Sequence, residues 1–404
     1  MKDKVPRLRN DVSIRPFDAI DTCARYVVAV DDRHFVVNDA VAALLEATRD
    51  GAGTETVARR VSGILGRVVT PAHVARVLED QVPECLFSAG DGRSVATPVR
   101  ARLLLLRAGH LKPALEWMAR LFEPDRVWVS LACFLSVEGL LAWQLGSRGT
   151  EATVGASPLG VIALVVLGVL LHELGHLSAC HRYGARHGGI GLGFYWFIPA
   201  FYAEVHGAWL LTRRQRAVVD AGGVYFQCVY LSVLSALYLW RPSPTVLMAI
   251  ACTHLLVLNT LNPVLKFDGY WLLSDLTGSH NLHLRIREAA RLWWRRLSGD
   301  ASAASLSRTQ MLLVGSFLLL ALAYFSYVLF FLGLQLAKGS AALGTAWEQR
   351  EAWWGIGLRS LWLMLLAGVS LGIAFMLARA TCGIASAGAA APVRDTARTT
   401  DALA

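Results

Sequence analysis

Apolar residues in this chain gather into long unbroken runs, separated by short polar stretches rich in arginine. Six runs approach the about 20 residues that an α-helix needs to cross a bilayer. They are 127–146, 158–179, 217–239, 244–265, 311–336 and 361–378. Between the second and third, 188–205 is apolar and aromatic but carries four glycines and Pro199, which argue against a helix. Its Gly189-Ile190-Gly191-Leu192-Gly193 opening predicts an extended or hairpin segment that dips into the membrane. Irregular backbone survives at that depth only where protein or water satisfies it.

The first 90 residues have a different character. Val27–Val30 and His34–Val37 flank Asp31, Asp32 and Arg33, which predicts a β-hairpin. Asn38 caps a helix whose apolar positions include Val41, Leu44 and Leu45, and which ends at Asp50-Gly51. A second helix runs from Thr54 to about Leu65. Thr70 and Pro71 open a third, with Val74, Val77 and Leu78 on its inner side. The expected fold class is an α-helical polytopic membrane protein with about six transmembrane helices and a re-entrant β-like segment. A small N-terminal α+β winged-helix-like domain precedes it. The expected divisions are a winged-helix-like domain over 1–95, a basic amphipathic linker over 96–126, a membrane domain over 127–380 and a disordered tail over 381–404.

Composition fits a membrane protein: 55% of residues are hydrophobic, 17% are charged and 13 are tryptophan. The net charge of +9 does not imply nucleic acid, because its carriers collect on one side of the membrane. Arg182, Arg186, Arg213, Arg214 and Arg216 fall between the second and third runs. Lys266, Arg285, Arg287, Arg291, Arg295, Arg296 and Arg308 fall between the fourth and fifth. By the positive-inside rule both termini and the mouth of the motif-bearing region face the cytoplasm, in a multi-pass protein of the cytoplasmic membrane. The third N-terminal helix offers Arg76 against Glu79 and Asp80, which does not suit a DNA reader. Residues 99–122 alternate leucines with Arg100, Arg102, Arg107, Lys112 and Arg120, and are expected to lie along the anionic leaflet. The segment 282–296, with Trp293 and Trp294, reads the same way. No signal peptide is expected at the N-terminus. Seven scattered cysteines predict reduced, packed thiols.

The chemistry concentrates at His172-Glu173-Leu174-Gly175-His176, at the end of the second run. With ~3.6 residues per turn, the two imidazoles leave a helix from nearly the same face, with Glu173 beside them. In this arrangement both histidines hold Zn2+ and the glutamate acts as general base toward a metal-bound water. A carboxylate inside a spanning helix costs roughly 2.5–3.5 kcal/mol, whereas a structural zinc contributes on the order of 10 kcal/mol. Metal binding therefore offsets the burial of these groups. Such a site needs a third protein ligand, and Asp268 supplies one: it closes the fourth run within Asn262-Pro263-Val264-Leu265-Lys266-Phe267-Asp268-Gly269, where Gly269 permits an unusual backbone. Cys180, a turn beyond His176, is set aside as a ligand. The histidines at 181, 187, 206, 254 and 280 are read as structural. Glu138, inside the first run, is expected to pair with another helix.

His-Glu-x-x-His on one spanning helix with Pro-x-x-x-x-Asp-Gly on a later one resembles the site-2 protease family of intramembrane zinc metalloproteases. The closer likeness is to its peptide zinc metalloprotease branch. The aromatic stretch from Phe194 to Tyr202, Ala208-Trp209, and Asp268-Gly269-Tyr270 before Leu272-Leu273-Ser274-Asp275-Leu276 carry it. The resemblance covers roughly residues 127–290. It implies an asparagine that touches substrate or an oxyanion three residues before the proline. Thr260 occupies that position here, so the role passes to Asn262 or Asn259. It also implies that substrate pairs as an added strand with the 188–205 segment. The N-terminal domain resembles the leader-peptide recognition domain of enzymes that mature ribosomally made peptides. Its hairpin, Phe35-Val36-Val37-Asn38 and Glu84-Cys85-Leu86-Phe87 carry that likeness. This implies a leader that adds along Arg33, His34, Phe35, Val36 and Val37 and contacts the third helix.

The resulting expectation is a membrane-embedded zinc endopeptidase. His172, His176 and Asp268 hold Zn2+, Glu173 moves the proton, and a precursor peptide loses its leader by attack of zinc-activated water. Regulated intramembrane proteolysis of a single-span, membrane-anchored protein such as an anti-sigma factor is the alternative. A non-enzymatic alternative is a peptide-binding immunity or export protein with a structural zinc. Expected partners are the substrate and the lipid bilayer, with no nucleic acid. A secondary transporter is disfavoured, because the two halves show no internal repeat.

Overall fold

The computed structural model describes residues 5–18, 25–31, 33–80, 82–87, 99–148, 155–195, 198–278, 282–297, 308–348 and Ser360. They divide into one unit within Met1–His280 and a second within Asn281–Asp395.

The N-terminal part of the first unit opens with β1 (Ser13–Pro16), β2 (Arg25–Val30) and β3 (Arg33–Asn38), paired antiparallel in that order. The predicted hairpin is β2–β3, with Val28 opposite Phe35. It turns on Asp31, whose φ of 50° falls in the left-handed region that aspartate tolerates. Three helices follow: α1 (Asp39–Ala47), α2 (Thr54–Leu65) and α3 (Pro71–Asp80). Side chains cap the starts of α1 and α3. Asn38 Oδ1 accepts the Val41 N–H at 2.9 Å, and Thr70 Oγ1 accepts the His73 N–H at 3.3 Å. Val28, Leu44, Leu45, Val57, Val61 and Val74 form the shared core.

The 99–122 segment, expected as an amphipathic linker, divides into a strand and a helix. Val99–Leu106 is a strand, β4, followed by α4 (Ala108–Met118). β4 pairs antiparallel with β5 (Ile190–Tyr195), and β5 with β6 (Ile198–Ala203). Within β4, Arg100 and Arg102 alternate with Val99 and Ala101, and Leu103–Leu106 follow as an unbroken apolar run. The hairpin expected in 188–205 is present as β5–β6, with β6 as the last strand of the sheet order.

Among the described residues, four helices are long and apolar enough to cross a membrane: α5 (Pro124–Arg148), α6 (Pro158–Arg182), α7 (Arg213–Trp240) and, in the second unit, residues 314–341 of α11 (Arg308–Glu348). The fourth predicted run yields only α8 (Pro244–Thr260), 17 residues, or ~25 Å against a hydrocarbon core of ~30 Å. It stops there because Asn262 precedes a proline, which disfavours helical backbone, and because Asn262 Oδ1 takes the Val264 N–H at 3.0 Å. A second short helix, α9 (Asp268–Thr277), starts after this turn. The sixth predicted run, 361–378, and the tail from 381 lie outside the described residues. In the second unit, α10 (Leu282–Leu297) buries Leu282, Ile286 and Ala290 along one face, as an amphipathic helix should.

Polar groups tie the apolar helices of the first unit together. Glu138 on α5 finds the expected partner: Ser235 on α7 donates to it at 2.6 Å, and His254 on α8 lies 3.4 Å away. Tyr230 on α7 donates to the Leu164 carbonyl of α6 at 2.8 Å. Three of the histidines read as structural have partners: His254 with Glu138, and His181 with His187 at 3.2 Å. Arg216, counted above as a leaflet charge, is buried on α7 instead, against Asp275 of α9 at 2.8 Å.

Candidate metal centre

The site is built where α6 and α7 touch. A methyl group on Gly175 would stand 2.2 Å from the Gly222 carbonyl oxygen, so the two backbones are in direct contact there. A methyl on Gly223 would come within 2.4 Å of the His172 ring. Glycines on both helices thus make the space in which the two imidazoles are buried. α7 also fixes how the rings face. His172 Nδ1 lies 3.1 Å from Gln227 Oε1, and His176 Nδ1 lies 2.8 Å from the Val219 carbonyl. Both acceptors hold a proton on Nδ1, which leaves each Nε2 with a free lone pair.

The two Nε2 atoms, 3.1 Å apart, converge on Asp268 Oδ2 at 2.9 and 3.1 Å. The carboxylate arrives from the first residue of α9. Gly269 earns its place differently from the expectation, since its φ is not in the left-handed region. A methyl there would stand 2.1 Å from the Leu261 carbonyl oxygen, so the residue lets the α8–α9 turn fold tightly onto itself.

This donor set fits zinc. Ligands at ~2.1 Å from a tetrahedral ion stand about 3.4 Å from one another, and the three separations here, 2.9–3.1 Å, fall within about half an ångström of that. Among the described residues, His172, His176 and Asp268 form the group whose donor atoms are gathered closely enough to hold an ion. Two nitrogens and one oxygen also leave a fourth position open, as catalytic zinc sites do.

Glu173 is buried beside the pair. Strand β6 packs on α6, and the backbone of Ala203, its last residue, faces the Glu173 carboxylate. The weaker sequence candidates are placed elsewhere in role. Asn262 is buried with its Oδ1 engaged in the local turn, and Asn259 occupies the last turn of α8. Cys180 is buried, with Sγ 3.7 Å from the Arg186 carbonyl and no part in the cluster. Arg33, His34, Phe35, Val36 and Val37 all lie on β3, the last strand of its sheet order. Gln227 and the Gly222-Gly223 pair were not singled out by sequence. A glutamine within an apolar run was the available signal.

A distant relative stands among curated proteins. The chain is 28% identical over 116 residues to the "Putative peptide zinc metalloprotease protein YydH" of Bacillus subtilis (strain 168). The match takes in 28% of this chain and 46% of that protein, so the chain spans less than half of the relative's length. No family model and no solved structure matches. The similarity points to a zinc metalloprotease and leaves its substrate open.

Proposed function

We propose that this chain is a membrane zinc endopeptidase of the site-2 type that cleaves a precursor peptide near the cytoplasmic face. The observation that carries the reading is the convergence of His172, His176 and Asp268, with Glu173 buried alongside and the end of β6 against it. Zinc held by those three residues would polarise the scissile carbonyl and acidify the attacking water. Glu173 takes the proton of that water and later returns it to the leaving amine. β6 offers its outer edge to an extended substrate, which places a peptide carbonyl beside Glu173 only after any helix in the substrate has unwound.

The N-terminal domain is the recruiting module in this reading. A polar cleft of about 830 Å³ is lined on one side by Asp11, Ser13, Arg15, Asp31 and His34 of that domain. Arg186, Gly188, Glu204 and His206 line the other, so the cleft runs from the β3 turn to the foot of the β5–β6 hairpin. A leader held along Arg33–Val37 would point its following residues into this cleft.

The test compares small peptides and processed proteins, by mass spectrometry, from native cells carrying wild type or Glu173→Gln. Zinc content should be unchanged, and cleavage should fall by ~10²–10⁴-fold, the usual share of a general base. Accumulation of one uncut short precursor supports the reading. A membrane-anchored regulator in its place assigns the chain to regulated proteolysis, and identical profiles with verified expression assign it to binding alone.

A further inference from the structure

A cavity of about 240 Å³ opens beside the metal centre, lined by residues that the catalytic reading does not use. Its aromatic walls are Phe17, Trp209 and Trp271, with the Trp209 and Trp271 rings 6.0 Å apart and Phe17 6.2 Å from Trp209. Its charged residues are Arg216, Asp220 and Asp275. Arg216 belongs to Asp275: Nε lies 2.9 and 3.0 Å from the two carboxylate oxygens, and Nη2 lies 2.8 Å from Oδ1. The same guanidinium covers the Phe17 ring at 4.3 Å. Asp220 is left without a cation. Its Oδ2 is closed off from solvent and accepts no hydrogen bond from any described residue. A carboxylate oxygen in that state costs roughly 1–3 kcal/mol or more until a donor reaches it.

The Asp220 carboxyl lies within hydrogen-bonding reach of Asp275, and one guanidinium serves the pair, so a second cation would relieve the contact between the two acids. Aromatic faces within about 6 Å favour a cation further. The volume is below the ~300–1,000 Å³ of pockets for drug-sized ligands and cofactors, so it suits a single side chain. We propose that this cavity is a recognition pocket for one basic side chain, lysine or arginine, of a bound peptide, with Asp220 as its counter-charge and Trp209 and Trp271 as its walls. The proposal rests on the reading of the chain as a peptide-acting protein. Occupancy would be felt at the metal centre through two short paths. Asp220 follows Val219, whose carbonyl holds His176, and Trp271 lies one turn after Asp268 on α9.

Ligand-observed NMR on the full-length, zinc-loaded protein in detergent micelles tests this directly, using N-acetyl-lysinamide, N-acetyl-argininamide and the neutral N-acetyl-norleucinamide. Saturable binding of one or both cationic amides, at about 1 mM or tighter, is expected, with none for norleucinamide. Asp220→Asn and, independently, Trp271→Leu should each weaken that binding at least tenfold, with zinc content per chain confirming that the fold survives. If Asp220→Asn loses zinc, Trp271→Leu decides alone. Equal binding of norleucinamide, no saturable binding of either cation by the zinc-loaded wild type, or unchanged binding in the zinc-retaining variants overturns the proposal. Because no peptide bond is cut in this assay, its outcome is separate from that of Glu173→Gln, which tests the protease reading.

Discussion

At the scale of single residues, the centre depends on contacts one step behind the ligands. Gln227 holds His172 by its Nδ1, so Gln227→Leu should lower zinc affinity about 10–100-fold while leaving all three ligands in place. Competition with a chelator would measure it. Gly223 is constrained by space: a methyl there meets the His172 ring at 2.4 Å. Gly223→Ala should therefore cost ~1–3 kcal/mol in thermal unfolding and reduce zinc content, whereas Gly315→Ala, with open space around it, should do neither. The His172–His176 pair and Glu173 were legible because their spacing is itself a chemical instruction: two imidazoles four apart on a helix can share an ion. Gln227 was not, since its distance from His172 along the chain has no fixed value that a metal site requires.

Among elements, local signals read true and distant pairings did not. Asn38 and the Thr70-Pro71 pair mark the starts of α1 and α3 without reference to the rest of the chain. β4 carries no such mark. Its partner, β5, comes more than 80 residues later (Leu106 opposite Ile190), and its two arginines and four leucines suit a strand as well as a membrane-surface segment. β1 was missed for a related reason, since Ser13-Ile14-Arg15-Pro16 is too short to show a period. The α7–α9 contact is the element-level feature with the clearest cost. The Arg216 and Asp275 side chains are 6% and 16% exposed, and removing one partner of a buried pair costs about 3–5 kcal/mol. Arg216→Ala should therefore destabilise the protein far more than Arg59→Ala, whose partner Glu55 is exposed like itself. Chemical unfolding in micelles would compare them.

For the molecule as a whole, Asp18 ties the N-terminal domain to α7, the helix that orients the two imidazoles. Asp18 Oδ2 accepts the Arg213 N–H at 2.9 Å, at the start of α7, and its carbonyl accepts from Arg216 at 3.0 Å. Asp18→Ala should cost ~1 kcal/mol as a lost helix cap and raise the rate at which a protease cuts after residue 18, read by limited proteolysis. The glycine contact between α6 and α7 has a wider consequence. Both imidazoles are aimed by Gln227 and by the Val219 carbonyl, and both helices are locked backbone to backbone. The scaffold that aims the two imidazoles is therefore built by the helix pair itself. A zinc finger needs its metal in order to fold; this centre would behave as a socket that outlasts its plug. Stripped protein should keep its far-UV and near-UV circular dichroism, reload one zinc per chain without refolding, and exchange that zinc freely with cobalt.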